Sequence, residues 1–409
     1  MGKALDKIKK DLNNSPMYNL SLSSKELFHS NLLAWLGNNK DTKAFFAEII
    51  NELTKIRLEL DGNWEIEREY NNFDLCVKEG DKYLLVIENK VKSIPRKNQL
   101  DEYVGKKVVD DDTRFLLLTL VDNFPCKDNV DIDKGKGGRW IIKTYDDLAS
   151  AMHQAMTKNP FKEPYYTSIL DDYIGFIQNL NELVGSWKVG IDDEFAKSAD
   201  LGELKKLSDL YAKIQFSYYC ILLQEKISKI DNIVVYDRGT IPENQEKDKL
   251  YILVDWGFAS KGKQGLFDIG IPVEDLSNPK IKKGFASPDP ECLIKIQVQG
   301  KSYRHVIESR NQDDLVSIGQ KEPYTSKWRW FSKDPKSDGI MPSFGDKEIF
   351  EKGLYPNKRV KSWPFDSYNN KGRANFIYQY QTIKEKTDTN SVLENMVSEV
   401  KKILFYLNF

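Results

Sequence analysis

The chain has 409 residues, more than one small hydrophobic core usually organises, so its length favours two domains. An apolar fraction of 40% and a charged fraction of 30% are typical of globular proteins and exclude a largely disordered chain. The formal net charge of −1 excludes bulk attraction to nucleic acid or to an anionic membrane, so any basic binding surface must be local.

The cellular setting follows from what the sequence lacks. No apolar run approaches the roughly 20 residues that cross a bilayer, and "MGKALDKIKKDLNNSP" has no apolar centre of a signal peptide. The four cysteines are scattered without metal-ligand spacing, which favours reduced thiols over disulfides or a zinc site. We therefore expect a cytoplasmic protein without a membrane segment.

The first half of the chain alternates helical and strand-like patterns. Helical periodicity in "SSKELFHSNLLAWLG" and "TKAFFAEIINELTKI" gives way to three short strands, "WEIEREY", "FDLCVKE" and "YLLVIENK". After Pro95 the pattern predicts a helix in "RKNQLDEYVGKKV", a buried strand in "RFLLLTLV", and helices in "YDDLASAMHQAM" and "YYTSILDDYIGFIQNLNELV". Continuous apolar runs such as Leu84–Ile87 indicate a sheet covered on both faces, so residues 1–187 are predicted to form an α/β domain.

The second half has a different composition after the linker-like segment "GSWKVGIDDEF". A helix is predicted over 201–230, followed by strands in "NIVVYD", "KLYILVDWG", "GLFDIGIPV", "CLIKIQVQG" and "YRHVIES". Ten of the 15 prolines lie between Pro242 and Pro364, which indicates many loops, and "SVLENMVSEVKKILFYL" predicts a final amphipathic helix. Residues 194–409 are therefore predicted to form an α+β domain.

Two charged residues follow the apolar strand "YLLVI", and an aspartate lies in the strand before it. Glu88 and Lys90 share one strand face because side chains alternate. A two- or four-residue turn would pair Asp74 with Ile87 and place Glu88 on the other face, whereas a three-residue loop or a bulge would put Asp74 beside Glu88. Gly80 suits the left-handed position of a three-residue loop, so both registers stay open at this point.

If the three side chains meet, their chemistry is that of phosphodiester hydrolysis. Two nearby carboxylates repel each other unless a cation lies between them, and oxygen ligands suit Mg²⁺ or Mn²⁺. A lysine beside such an ion orients a water and stabilises charge that develops on a phosphate. Asp74, Glu88 and Lys90 are therefore the candidate catalytic residues.

The order Asp74, then Glu88-Asn89-Lys90 at the end of an apolar strand, resembles the PD-(D/E)XK nuclease superfamily. Gln99 and Tyr103 repeat the Gln-x-x-x-Tyr spacing of RecB-type nucleases, and "ELFHSNLLAWL" is similar to the first helix of that group. The resemblance covers about residues 20–185 and is strongest to a bacterial branch with "IENK" and "QL..Y" motifs. It does not extend to residues 190–409.

This resemblance implies a restriction-endonuclease-like core, with a mixed sheet flanked by helices, that cleaves nucleic acid with Mg²⁺ or Mn²⁺. It further implies catalytic roles for Gln99 and Tyr103, and metal ligation by Asp74, Glu88, the carbonyl of Asn89, Glu67 and Glu26. Glu65, Glu67 and Glu69 share one strand face, so the choice of Glu67 depends on family spacing alone. The expected substrate is DNA, in anti-phage or restriction-type defence.

A basic and aromatic stretch lies in the second half. Residues 301–386 contain 17 Lys and Arg against 11 Asp and Glu, a difference of +6, with interleaved aromatic residues. Basic side chains neutralise phosphates and aromatic faces stack on bases, although the same aromatics also suit a domain core. The candidate nucleic-acid contacts in this stretch are Lys327, Arg329, Lys358, Arg359 and Lys361. Lys92, which lies in the first half close to Lys90, is a further candidate contact.

Two rival functions stay open: a catalytically silent nucleic-acid-binding protein, and an interaction protein whose nuclease is gated by a partner. A homodimer or a protein partner would contact the C-terminal domain. The sequence does not distinguish DNA from RNA, or endonuclease from exonuclease action.

Overall fold

The structure, a computed structural model, describes residues 2–24, 26–59, 62–91, 93–125, 127, 139–242, 244–259, 264–274, 276, 280–311, 315, 349–351, 355–364 and 373–409. The chain divides into two compact units, Met1–Lys188 with Ala199–Ile214, and Val189–Ser198 with Gln215–Phe409. The first crossing between the units falls in the segment predicted as a linker. The assignment of separate roles to the two domains stays a prediction.

The first unit contains a five-stranded sheet in the order β1-β2-β3-β4-β5. Its strands are β1 Trp64–Arg68, β2 Leu75–Glu79, β3 Lys82–Lys90, β4 Arg114–Thr119 and β5 Trp140–Thr144. Strands β1, β2 and β3 pair antiparallel, whereas β3, β4 and β5 pair parallel. The predicted mixed sheet is therefore confirmed, and β5 is a strand that the sequence patterns did not predict.

Helices flank this sheet. They are α1 Gly2–Asn14, α2 Pro16–Ser24, α3 Glu26–Asn38, α4 Lys43–Thr54, α5 Lys97–Val104, α6 Tyr145–Lys158 and α7 Pro164–Gly185. On one face α3 packs against β1 and β3, and α6 packs against β4 and β5. On the other face the ring of Tyr103, from α5, contacts Phe73 and Trp140. The apolar run of β3 is buried because both faces of its sheet are covered.

The second unit contains a seven-stranded sheet in the order β11-β12-β10-β9-β8-β7-β6. Its strands are β6 Ile233–Tyr236, β7 Leu250–Ala259, β8 Gln264–Pro272, β9 Cys292–Gln299, β10 Ser302–Ser309, β11 Tyr355–Pro364 and β12 Arg373–Thr382. All neighbours pair antiparallel except β6 and β7. Five of these strands were predicted; β11 and β12 were not.

Two helices cover one face of this second sheet. Helix α8, Ser208–Ile227, packs Phe216 and Tyr219 against Phe267 of β8. Helix α9, Thr389–Tyr406, carries Glu399, which accepts a hydrogen bond from the Tyr303 hydroxyl at 2.6 Å. The second unit therefore has the predicted α+β composition. Every helix in the described ranges is too short or too polar to cross a lipid bilayer.

Candidate functional site

A β-bulge in the hairpin of β2 and β3 decides which side chains meet. Glu79 pairs with Lys82 across a two-residue turn, but the register shifts by one where Val77 pairs with Leu85. Beyond the bulge Leu75 pairs with Ile87, so Asp74 continues the ladder towards Glu88. Of the two registers that the sequence left open, the structure has the one that places Asp74 and Glu88 on the same face.

The turn uses glycine where its backbone requires one. Gly80 has φ +59°, a left-handed conformation that costs other residues free energy. Of the two arrangements that the sequence leaves open, a three-residue loop or a bulge, the structure has the bulge, which lies at Leu84 beside a two-residue turn. A three-residue loop and a bulge each insert one residue into the hairpin, so either arrangement places Asp74 on the same face as Glu88.

Asp74 and Lys90 each contact a residue near the end of β3, Asn89 in the case of Asp74 and Glu88 in the case of Lys90. The Asn89 backbone N–H donates to Asp74 Oδ2 at 2.7 Å. Lys90 Nζ lies 2.6 Å from Glu88 Oε1, and both side chains are more than 90% buried. The structure thus brings together the three residues that the sequence selected as catalytic.

Gln99 and Tyr103 reach the same carboxylate from α5. Gln99 Nε2 donates to Glu88 Oε1 at 3.2 Å and to the Tyr103 hydroxyl at 3.0 Å. The Tyr103 hydroxyl donates to Glu88 Oε1 at 3.4 Å. Residues four apart lie on one face of a helix, which explains how both reach Glu88. Both side chains therefore contact the same carboxylate oxygen of Glu88.

Burial dominates the electrostatics of both acids. The pKa of Glu88 is raised to about 7, because burial, with a contribution from the charge of Asp74, outweighs the lowering by Lys90. The pKa of Asp74 is also raised, first by burial and then by Glu26 and Glu69, against the Asn89 N–H and Lys90. The site therefore holds negative charge only at a cost in free energy, which a cation would offset.

Glu26 lies at the edge of the site, in the first turn of α3. Its Oε1 accepts from the Val91 N–H at 3.3 Å and from the Ser93 hydroxyl at 2.5 Å. It also raises the pKa of Asp74, which means that its charge acts on the site. Glu26 fixes the chain just after Lys90 and adds negative charge beside Asp74.

Among the three upstream acids, the structure places Glu69 nearest to Asp74. The Glu69 N–H donates to the Asp74 carbonyl at 3.3 Å, and its charge raises the Asp74 pKa. Glu67, the residue chosen by family spacing, instead forms an ion pair with Lys78 at 3.2 Å. Glu69 has φ +52°, a left-handed conformation that no periodicity rule predicts.

Lys106 is a cation near the site that the sequence interpretation missed. Its Nζ lies 4.3 Å from the ring centre of Phe73 and 4.5 Å from that of Tyr103. Burial lowers its pKa, whereas Glu102 and Glu88 raise it. The signal for it was the basic pair that follows the Gln-x-x-x-Tyr helix.

A divalent cation fits the donors that are present. Glu88 Oε2 is buried and has no hydrogen-bond partner within the described residues. In that part of the chain no group of three or more His, Cys, Asp or Glu side chains is arranged to hold a metal. Two carboxylates suffice for Mg²⁺, which keeps waters and substrate phosphate oxygens as its other ligands. The orphaned oxygen of Glu88 is the atom that such an ion would contact.

The predicted nucleic-acid contacts are placed only in part. Lys92, Lys327 and Arg329 lie outside the described residues. The backbone of Lys358, Arg359 and Lys361 belongs to β11, where the register with β12 shifts between Asn357 and Lys361. Their contact with nucleic acid stays a prediction.

Comparison with known proteins agrees with this geometry. A family model described as the PD-(D/E)XK nuclease superfamily matches residues 17–174, a range that contains the five predicted catalytic residues and all of the five-stranded sheet. No curated protein and no solved structure gave a significant match. The match confirms the resemblance and the restriction-endonuclease-like α/β core, to which a second sheet is added in the C-terminal region.

Proposed function

We propose that the protein is a divalent-metal-dependent nuclease that hydrolyses phosphodiester bonds in DNA, since residues 17–174 match the family model of the PD-(D/E)XK nuclease superfamily. The observation that carries the proposal is the bulged register of β2 and β3, which brings Asp74, Glu88 and Lys90 together. Without the bulge, Asp74 would face the opposite side of the sheet.

In this proposal Asp74, Glu88 and the carbonyl of Asn89 hold Mg²⁺ or Mn²⁺. Glu26 or Glu67 would add a ligand directly or through water, and the position of Glu69 supports it as a third choice. The ion would neutralise charge on the scissile phosphate in the transition state. PD-(D/E)XK nucleases typically use divalent metals, and a donor set of carboxylate and carbonyl oxygens suits Mg²⁺ or Mn²⁺.

The remaining groups act on the water and on the orientation of the acids. The Lys90 ammonium orients the attacking water and stabilises negative charge on the phosphate. Gln99 and Tyr103 fix Glu88 Oε1, so that Oε2 stays directed towards the ion. The Asn89 N–H holds Asp74 in the same way. Preorganised groups of this kind need no rearrangement when the substrate binds.

The test is cleavage of circular and linear, single- and double-stranded DNA with Mg²⁺ or Mn²⁺, with an RNA arm and an EDTA control. We expect metal-dependent cleavage of DNA that Glu88→Gln and Asp74→Ala abolish. Degradation of linear DNA alone would identify an exonuclease. Glu65→Gln, at an exposed acid on β1, is the matched control and should retain activity.

Two outcomes would favour the rival functions. DNA binding without cleavage under every metal condition would indicate a silent nucleic-acid-binding protein. Cleavage that begins only after a phage or host protein is added would indicate an enzyme gated by a partner. Cleavage of RNA alone would contradict the proposed substrate but retain the hydrolytic site.

We further propose that the basic and aromatic stretch of the second half contacts DNA. Its excess of positive charge over 301–386 supports this, since phosphate contacts dominate affinity for DNA. Joint replacement of Lys327, Arg329, Lys358, Arg359 and Lys361 by alanine should weaken binding and flatten its dependence on salt. Unchanged binding would contradict the proposal.

The setting that we propose is the bacterial cytoplasm, in anti-phage or restriction-type defence. The support is an analogy: a nuclease domain is joined to a second unit that suits recognition of DNA or of a protein partner. Protection of cells against phage that depends on Glu88 would support it. A homodimer through the C-terminal unit is tested by the mass of the protein in solution.

A further inference from the structure

The Asn89 side chain lies on the opposite face of β3 from Glu88 and Lys90, and it is fully buried. Both ends of its amide are bonded. Its Nδ2 donates to the Ser30 hydroxyl at 2.8 Å, and the Tyr145 hydroxyl donates to its Oδ1 at 3.1 Å. A residue from α3 and a residue from α6 therefore hold the middle residue of the Glu88-Asn89-Lys90 run.

The hydrogen bonds have one consistent direction. The Ser30 hydroxyl donates to the Glu26 carbonyl at 3.2 Å, so its oxygen is an acceptor for Asn89 Nδ2. The carbonyl end of the amide must then face Tyr145, whose hydroxyl is the donor. In this order each donor meets an acceptor, from Tyr145 through the Asn89 amide and Ser30 to the Glu26 carbonyl.

Tyr145 is itself rigidly placed. It is the first residue of α6, directly after β5, and its ring is fully buried. The helix begins with a capping box in which Thr144 and Asp147 bond each other's backbone N–H. Because β3 and β5 run parallel in the same sheet, the start of α6 lies at the edge where β3 ends.

The backbone of Asn89, unlike its side chain, interacts with the acidic residues of the site. Its N–H donates to Asp74 Oδ2 at 2.7 Å, and its carbonyl is the proposed third ligand of the cation. A rotation of this residue about the strand would move the Asp74 partner and the carbonyl together. Buried hydrogen-bonded networks resist such rotation because a broken bond leaves a polar group unsatisfied.

We infer that Asn89, clamped by Ser30 and Tyr145, is a positioning residue that sets the metal affinity of the site from the opposite face of the sheet. The inference rests on the proposed function. Groups that orient metal ligands typically contribute 10- to 100-fold to metal affinity. The Ser30–Asn89–Tyr145 clamp thus links two helices to the metal ligands without touching substrate.

The experiment is titration of Mn²⁺ into the full-length protein by calorimetry, without nucleic acid, for wild type, Tyr145→Phe, Ser30→Ala and the double variant. We expect each single change to weaken Mn²⁺ binding by about 10-fold. The double variant should lose less than the product of the two, because both changes act through the same amide.

Tyr173→Phe is the matched control. The Tyr173 side chain is also fully buried, and its hydroxyl lies 2.8 Å from His29 Nδ1, whereas the hydrogen bonds of the Asn89 amide go to Ser30 and Tyr145. We expect Tyr173→Phe to lower the melting temperature about as much as Tyr145→Phe while leaving the Kd for Mn²⁺ unchanged. Equal Mn²⁺ affinity in wild type, Tyr145→Phe and Ser30→Ala would overturn the inference.

The two proposals fail in different ways. If wild type cleaves DNA but the clamp variants keep both Mn²⁺ affinity and cleavage, the inference is wrong and the proposed function stands. If wild type binds Mn²⁺ and the clamp variants bind it more weakly, but no nucleic acid is cleaved, the inference stands and the proposed nuclease function is wrong. If wild type binds no Mn²⁺, both are contradicted.

Discussion

Each unit of the protein buries a lysine against carboxylates, and the two arrangements differ in how their charges are balanced. In the first unit, Lys90 contacts one oxygen of Glu88, while Asp74 approaches the same region. In the second unit, Lys295 lies between two acids, 2.9 Å from Asp268 and 3.0 Å from Glu308. The side chains are of the same types, but the pKa of the buried glutamate is raised in the first cluster and lowered in the second.

The second cluster is the better paired one. Arg238 adds a second cation, 3.3 Å from Glu308 and 3.5 Å from Asp255. Burial opposes the charge of Glu308, yet Lys295 and Arg238 lower its pKa, and Asp268 and Glu308 raise the pKa of Lys295. These directions are those of ion pairs that stabilise the charged forms of their members.

The first cluster has the reverse balance. Burial raises the pKa of Glu88 to about 7, despite a lysine in direct contact. The single positive charge of the lysine does not offset the negative charges of two buried acids, so the cluster lacks one positive charge. A structural network supplies its own cations, whereas a metal site leaves room for one from solution. Asp268 Oδ1 in the second cluster is also buried without a hydrogen-bond partner among the described residues, so it is the raised pKa of Glu88 and of Asp74 that distinguishes the first cluster and favours a functional role for it.

The largest effect that we expect on stability is in the second unit. Lys295→Met should lower the free energy of unfolding by about 3–5 kcal/mol, because it leaves Asp268 buried without its contacting cation and Glu308 with Arg238 alone. Denaturant unfolding measures this. Lys301→Met, at an exposed ion pair 3.6 Å from Glu385, is the control and should change stability by less than about 1 kcal/mol. Equal losses would mean that the buried cluster is not the stabilising one.

The largest effect on activity should come from the first unit. Lys90→Met should lower the rate of DNA cleavage by about 10²–10³-fold through lost stabilisation of charge. It should cost little stability at neutral pH, because Glu88 without Lys90 takes up a proton instead. Lys82→Met, an exposed lysine on the same strand, is the control. A large loss of stability in Lys90→Met would show that Lys90 and Lys295 contribute alike to the free energy of unfolding, and would contradict the difference between the two clusters.

The two clusters should respond to pH in opposite directions. Glu88 binds a proton more tightly in the folded protein, so its contribution to stability falls as pH rises from about 4.5 to about 7. Glu308 has a lowered pKa, so its contribution is lost as pH falls through that folded-state pKa. One group changes the free energy of unfolding by at most about 1.4 kcal/mol per pH unit.

Unfolding in EDTA at several pH values separates these terms. Glu88→Gln should be more stable than wild type, by a margin that grows between pH 5 and pH 7 and is constant above it. A margin that does not vary with pH would show that Glu88 titrates normally. Added Mn²⁺ should reduce the margin, since the ion stabilises wild type alone.

The smallest effect concerns α5. Gln99→Ala removes a hydrogen bond to Glu88 and one to Tyr103, and we expect a loss of about 10-fold in cleavage, equal to roughly 1.4 kcal/mol. Asp101→Asn, on the exposed side of the same helix, should leave the rate unchanged. Equal rates for both variants would assign Gln99 to an ordinary helix surface.

Local patterns predicted most of the first unit. Apolar runs placed β3 and β4, and helical spacing placed α3 to α7, because these elements bury one face or two according to their period. β5 escaped prediction since Trp140–Thr144 is short and only its first residue is deeply buried. In the second unit, β11 contains the last two prolines of the stretch that indicated loops, and β12 follows that stretch.

The site was predictable as a set of residues but not as a geometry. The choice of register depended on a bulge at Leu84, which no local signal in "KYLLVIENK" requires. The position of Glu69 beside Asp74 depends on the left-handed conformation of Glu69 itself, which the sequence does not predict. The bond between Tyr145 and Asn89 joins residues 56 apart, so only the parallel order of β3, β4 and β5 brings them together.

The central claim is that Asp74 and Glu88 hold one divalent cation. Crystals of the protein soaked with Mn²⁺ and measured near the manganese absorption edge test it directly. We expect an anomalous peak between these two carboxylates and beside the Asn89 carbonyl, and we expect it to be absent in Glu88→Gln. A map with no peak there, or with its peak at Asp268 and Glu308 instead, would contradict it.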